Sequence, residues 1–180
     1  MTAKECIMGR RSIRKFKDEK VDHGLIEEII SEAAYAPSWK NTQITRYIAV
    51  EGALKDRIGT ECTSQHPHNG EIICQAPMLI AVTMIKNRSG FERDGSYTTP
   101  KEGGWQMFDA GVAAQTFCLA AYEKGLGTVI MGIFDEESAT KLLEIPEERE
   151  LVCLIPVGYP DEEPSAPKRK EVSDLLIFKE

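Results

Sequence analysis

No stretch of this chain approaches the roughly eighteen consecutive apolar residues that a membrane span needs. The first residues, Met1 to Gly9, lack the basic start and apolar block of a secretory signal, and Glu5 is out of place in a transit peptide. The expectation is a cytoplasmic chain with no membrane partner. Excess positive charge is missing too: 22 Lys and Arg stand against 29 Asp and Glu, a formal net charge of −7. An acidic chain repels a polyanion, so no nucleic acid is expected, and any phosphate ligand must be held by a local group of cations. Paired cysteines are absent as well. Cys6, Cys62, Cys74, Cys118 and Cys153 include no CxxC and are odd in number, a poor disulfide framework, so reduced and mostly packed thiols are expected. Cys62, His66, His68 and Cys74 match no zinc-ligand spacing, and no metal is expected.

What remains is a chain of 180 residues, 42% of them hydrophobic, enough to bury a core as one domain over 1–180. Its most distinctive stretch is Arg10-Arg11-Ser12-Ile13-Arg14. If extended, the period of two puts Arg10, Ser12 and Arg14 on one face and Arg11 and Ile13 on the other. Two guanidiniums with a hydroxyl between them form an anion clamp suited to phosphate oxygens. Taken alone, the pattern is also compatible with a solvated basic surface.

Thr2 to Glu5 fits a capping box, with Gly9 ending the short helix in a left-handed cap. Leu25, Ile26, Ile29, Ile30, Ala33 and Ala34 recur at helical spacing, and Pro37 stops that helix. Residues 37–43 are polar and turn-prone, with side chains able to bond a planar heterocycle or simply to connect elements. Tyr47 to Val50, Met78 to Ile85 and Leu151 to Val157 read as strands, the second buried on both faces. A helix around Leu54 to Ile58 and a polar loop from Thr63 to Gly70 separate the first two. Residues 86–104 have few apolar anchors and read as a lid or partner-crossing segment. Trp105 to Lys124 is a helix apolar nearly all round, which requires burial in the core or against a second subunit.

Gly125-Leu126-Gly127 follows a helix and opens a short strand, Thr128 to Met131, the reverse of a dinucleotide-binding glycine loop. Gly132 reads as a place where backbone approaches something flat. Asp135 to Glu137 opens a further helix, closed by Pro146. The tail carries Lys168-Arg169-Lys170 and then Val172, Leu175, Leu176, Ile177 and Phe178, apolar residues that need the core or a partner to cover them.

Taken in order, Arg10 to Arg14, Ala36-Pro37-Ser38 with Asn41 and Gln43, Asp109-Ala110-Gly111 with Ala113 to Gln115, Gly125 to Thr128 with Gly132, Val157 to Pro160, and Lys168 to Lys170 resemble the FMN-dependent nitroreductase family. The match runs from about Met8 to Lys170. The resemblance implies an α+β, three-layer fold with a central mixed, mainly antiparallel sheet flanked by helices. It also implies an intertwined homodimer with two FMN sites at the subunit interface. By the same resemblance Arg10, Ser12 and Arg169 bind the FMN phosphate, helped by Lys168 or Lys170, with Arg11 contributing through its backbone. Arg14 reaches the N1 and O2 edge of the flavin. Pro37, Ser38 and Asn41 approach from the other subunit, Gln43 and Asn69 bond the polar rim, and Gly132, next to Met131, offers its N–H near O4 and N5. Trp39, Lys40 and Ile44-Thr45 depart from the family pattern, and Met131 supplies no acidic flank to the N5 contact. Trp39 either stacks over substrate or packs at an interface.

The activity so implied is ping-pong hydride transfer from NADH or NADPH through FMN to an electron-poor acceptor, a nitroaromatic or quinone, with no protein acid or base. Arg14 and Gly132 tune the flavin. Alternatives on the same scaffold are dehalogenation, enone reduction, flavin turnover, or flavin binding without catalysis.

Overall fold

The structure, a computed structural model, describes residues 1–180. Its centre is an antiparallel sheet of β1 (Thr45–Val50), β2 (Met78–Ile85), β3 (Gly127–Thr128) and β4 (Arg149–Gly158) in the order β1-β2-β4-β3. β2 is central because it can afford no wet face: every residue from Met78 to Met84 is buried. Its alternation divides the core in two. Leu79 and Ala81 pack with Ile58, Ile72, Ile73 and Leu154 on one side, beneath α3 (Gly52–Glu61), α4 (Pro67–Gln75) and α6 (Glu136–Leu142). Met78, Ile80 and Val82 pack with Ile26, Ile29, Phe117 and Ile155 on the other, against α2 (His23–Ala33) and α5 (Gly104–Glu123). The result is the expected three-layer α+β arrangement. All four named strands pair antiparallel, and the mixed character comes from one parallel bridge at the β3 edge, Ser12 with Thr128.

Helix ends follow local chemistry. In α1 (Ala3–Gly9) the Thr2 hydroxyl accepts the Glu5 N–H at 3.2 Å and the Glu5 carboxylate accepts the Thr2 N–H at 2.8 Å. Asp22 and Asp135 cap α2 and α6 in the same manner, accepting from Leu25 N–H and Ser138 N–H.

Several expectations need correction. Gly9 is no left-handed cap, since the C-cap is Arg10 at φ −56°; a side chain at position 9 would instead collide with the Tyr122 hydroxyl. The polar loop 63–70 gives way to α4 at Pro67, because proline suits the first turn, where its missing N–H costs nothing. The strand expected through Met131 pairs with β4 only at Gly127 and Thr128 and then as a single bridge, Met131 with Leu154. Within this chain helix α5 is buried on one side only, with Met107 and Phe108 48% and 60% exposed, which leaves the second-subunit alternative for its other face. The tail forms a short α7 (Val172–Leu175), and Val172, Leu175, Ile177 and Phe178 are not covered by this chain's core, which leaves the partner alternative for them. No helix is long and apolar enough to cross a membrane.

Candidate functional site

Residues 10–16 leave α1 and run along the outer side of β3. Ile13 N–H donates to Thr128 C=O at 3.0 Å, and Ile13, 6% exposed, turns into the core. Glycine at 127 follows from that packing, because a Cβ there would lie within 2.9 Å of three Ile13 side-chain atoms. The far side of the segment is tied to the chain after β4: Lys17 N–H bonds Tyr159 C=O, Asp161 N–H bonds Lys15 C=O, and the Glu162 carboxylate accepts from Arg14 N–H and Lys15 N–H. Backbone bonds on both flanks hold the segment extended.

The expected alternation follows. Ile13 faces inward, and Arg11 turns back so that its guanidinium donates to Met8, Gly9 and Arg10 carbonyls at 2.7, 3.1 and 2.9 Å, closing the end of α1. Arg11 is thus a helix-capping side chain, and only its backbone is left for a ligand. Arg10 is half-buried, its guanidinium without a hydrogen bond or ion pair, and the Arg14 guanidinium makes only a 3.5 Å contact with Ser12 C=O. Two cations without carboxylate partners on an acidic chain are an anion site in waiting.

The parallel register carries the row onward. Ser12 stands opposite Thr128 in a single parallel bridge, and Gly132 follows four residues after Thr128 on the chain that runs on from β3. Met131, 5% exposed, is anchored by bonds in both directions with Leu154, at 2.8 and 3.0 Å. Gly132 follows with an N–H that has no partner in the chain, flanked by exposed Ile130 and Ile133. Neither a left-handed φ nor internal crowding asks for glycine here, since a Cβ would meet nothing within 4 Å. The Asn69 amide, on α4, donates to Ile133 C=O at 3.0 Å and fixes this loop, while Asp135 N–H donates to Cys62 C=O at 2.6 Å. Asp135 is held below the usual carboxylate range by the Ser138 hydroxyl and N–H. Arg10, Ser12 and Arg14, on the segment bridged to β3, and Gly132, on the chain running on from β3 with its loop braced by Asn69, are therefore placed along one sheet edge.

Pro37, Ser38, Asn41 and Gln43 are not. Their loop leads into β1, at the opposite end of the strand order, so about three strand spacings, roughly 14 Å, separate it from β3. Lys40, Asn41 and Gln43 all have positive φ, at 45°, 56° and 47°. The strain is held by side chains: buried Asp109, 3% exposed, accepts Trp39 N–H at 2.9 Å and the Ser89 hydroxyl, and Ser38 Oγ accepts Gln43 N–H at 2.9 Å. The Trp39 ring packs on Trp105, centroids 4.7 Å apart. That contact is within the chain, and Lys40 pairs with Glu92 at 3.2 Å. Residues 86–104 are accordingly folded onto the start of α5, with Ser89 wholly buried. Lys168, Arg169 and Lys170 are exposed and make no hydrogen bond or ion pair with residues 10–14. Asp109 enters the sequence analysis only within the Asp109-Ala110-Gly111 motif, with no structural role, although its position as the last charge before an uncharged helical stretch was a usable signal.

The sequence profile of the nitroreductase family matches residues 7–71 and 63–159. The chain belongs to that family. A family relative from Methanothermobacter thermautotrophicus, provisionally named NADH dehydrogenase/NAD(P)H nitroreductase, is 32% identical over 91% of this chain and 80% of its own. The iodotyrosine deiodinase of Drosophila melanogaster is 27% identical over 96% of this chain and 68% of its own. A provisionally assigned nitroreductase of Desulfovibrio desulfuricans, crystallised in complex with FMN, superposes with a TM-score of 0.75 at 26% identity, over 98% of this chain and 95% of the other.

The four buried thiols offer no rival chemistry: burial raises Cys6, Cys62 and Cys118 above the ordinary thiol value and pushes Cys153 up to about 12. No three His, Cys, Asp or Glu side chains are grouped to hold a metal.

Proposed function

We infer that this chain is an FMN-dependent oxidoreductase taking electrons from NADH or NADPH and passing them to small electron-poor acceptors, nitroaromatics or quinones, in a ping-pong cycle. The observation that carries the reading is the row of unpaired cations and hydroxyl beside β3, ending at the free N–H of Gly132 between two exposed isoleucines. That row fits a ligand with a phosphate at one end and a flat ring at the other. Arg10 and Ser12 would hold the phosphate. Arg14 would stabilise negative charge on the ring, and Gly132 with Asn69 would meet its polar rim. FMN, when bound, supplies the two-electron hydride carrier. Pro37, Ser38, Asn41 and Gln43 lie at the other sheet edge, so in this proposal they reach the ring from a second copy in a homodimer, and Lys168, Arg169 and Lys170 of the free tail join the phosphate. A single domain over 1–180 and a cytoplasmic setting complete the proposal. Reductive dehalogenation is the second reading, favoured by the likeness to the Drosophila deiodinase.

The test is the visible spectrum of the purified protein after FMN is added and unbound flavin removed, recorded anaerobically with NADH and then NADPH. Retained flavin that bleaches is expected, and the more effective donor is thereby named. Flavin that is not retained overturns the proposal; flavin retained but not bleached leaves a binding protein. Arg14→Ala should make the bound flavin harder to reduce, and an unchanged potential rejects its role.

A further inference from the structure

Gly132 opens onto more than a flat surface. Residues 62–66 and 132–136 face each other across a cavity of about 570 Å³ lined by Cys62 to His66 and by Gly132 to Glu136. That volume suits a one- or two-ring molecule. The walls are clamped together by the bond from Asp135 N–H to Cys62 C=O, and the Asn69 bond to Ile133 braces the second wall against α4. The position of His66 is set with equal care: its N–H donates to Thr63 C=O at 2.7 Å and its C=O accepts from Asn69 N–H at 2.9 Å.

The three histidines of the chain differ in one respect. His23 is bonded to Glu51 at 2.8 Å and His68 faces Glu71 at 3.4 Å, whereas the imidazole of His66 has no partner within the chain. It is also the histidine that shares a cavity with the free N–H of Gly132. The other charged groups around it are engaged or acidic: Glu61 is paired with Arg57, Glu71 with His68, Asp135 is committed to Ser138, and Glu136 is unpaired. No lysine or arginine lines this cavity.

We propose that the cavity between residues 62–66 and 132–136 is the acceptor site and that His66 is the proton donor to a quinone-type acceptor bound there. The inference rests on the proposed flavin chemistry and replaces the expectation of no protein acid with one catalytic residue. Reducing a quinone to its hydroquinone takes two electrons with one proton, delivered as hydride and drawn ultimately from NAD(P)H, plus one further proton. The second proton comes from the imidazolium: a ring N–H bond breaks, its electron pair stays on the imidazole, and an O–H bond forms on the acceptor oxygen. The neutral imidazole regains a proton from solvent. Imidazole suits this task because its proton is exchangeable near neutral pH.

The experiment uses the FMN-loaded full-length protein and its His66→Gln variant, reduced chemically under anaerobic conditions and mixed with duroquinone or with ferricyanide. His66→Gln should reoxidise with duroquinone at least about tenfold more slowly. Ferricyanide, which takes electrons without protons, should oxidise both proteins at the same rate. Added imidazole should restore duroquinone reduction by His66→Ala. Duroquinone added to the oxidised protein should shift the His66 imidazole NMR signals. Equal duroquinone rates, equal slowing with ferricyanide, or an unshifted His66 resonance would each overturn the proposal. Retained flavin in the starting spectrum separates these outcomes from failure of the flavin reading itself.

Discussion

The two polar segments at opposite edges of the sheet are held by opposite means. Along residues 10–16 the backbone does the holding: Ile13 bonds Thr128 on one flank, and Lys15 and Lys17 bond Asp161 and Tyr159 on the other. The side chains of Arg10 and Arg14 are left without partners and free for a ligand. At residues 37–43 the side chains do the holding. Asp109 and Ser38 accept backbone N–H groups from a loop with three non-glycine residues at positive φ, and the Trp39 ring is spent on Trp105. Mutation should therefore separate binding from folding at the first edge and join them at the second.

The sharpest break in that comparison is Asp109→Ala. Removing the carboxylate strands Trp39 N–H and the Ser89 hydroxyl in a buried setting, at a cost of about 3 kcal/mol. The urea midpoint should fall, and Asp109→Asn, which keeps an acceptor oxygen, should recover much of the loss. An unchanged midpoint in Asp109→Ala would remove the keystone role. At the other edge Arg10→Ala should leave the urea midpoint where it was and weaken FMN binding by about 10- to 100-fold, the value of one charge-assisted bond of roughly 1.5–3 kcal/mol. Equilibrium dialysis against FMN decides it.

Gly132→Ala sharpens the contrast further. With nothing within 4 Å of the added carbon, stability should change by less than about 0.5 kcal/mol, while flavin affinity, read by the same dialysis, falls. The smallest effect is expected at Asp135. Bonds from the Ser138 hydroxyl and N–H lower its pKa below the ordinary 3.8, so its contribution is present above that value and is lost as pH falls below it. Thermal melts of Asp135→Ala and the parent should thus differ at neutral pH and converge as the solution is acidified past the folded value.

Much of this was legible in the chain. The capping box at Thr2, the β2 strand at its true ends and the mostly apolar inner face of α5 follow from local rules, because each is decided by residues near in sequence. The alternation of Arg10, Ser12 and Arg14 was legible for the same reason. What the sequence did not show is that the Arg11 guanidinium is claimed by the end of α1, a geometry that depends on where the helix stops. The helix starting at Pro67 was taken for loop because the polar residues before it hid a proline placed at a first turn. His66 was noticed only in a rejected zinc pattern. Its relation to Gly132 spans 66 positions and exists only because residues 62–66 and 132–136 are clipped together.

The sequence by itself determined the elements, their periodicities and the family, because hydrophobic spacing, caps and ordered motifs are properties of short stretches. Only the tertiary structure decided which cations remain unpaired, why Gly127 must be glycine beside Ile13, and why Gly132 is glycine with no internal reason to be. Those outcomes depend on contacts between segments far apart in the chain, and no local rule fixes which side chain a distant carbonyl or carboxylate will claim.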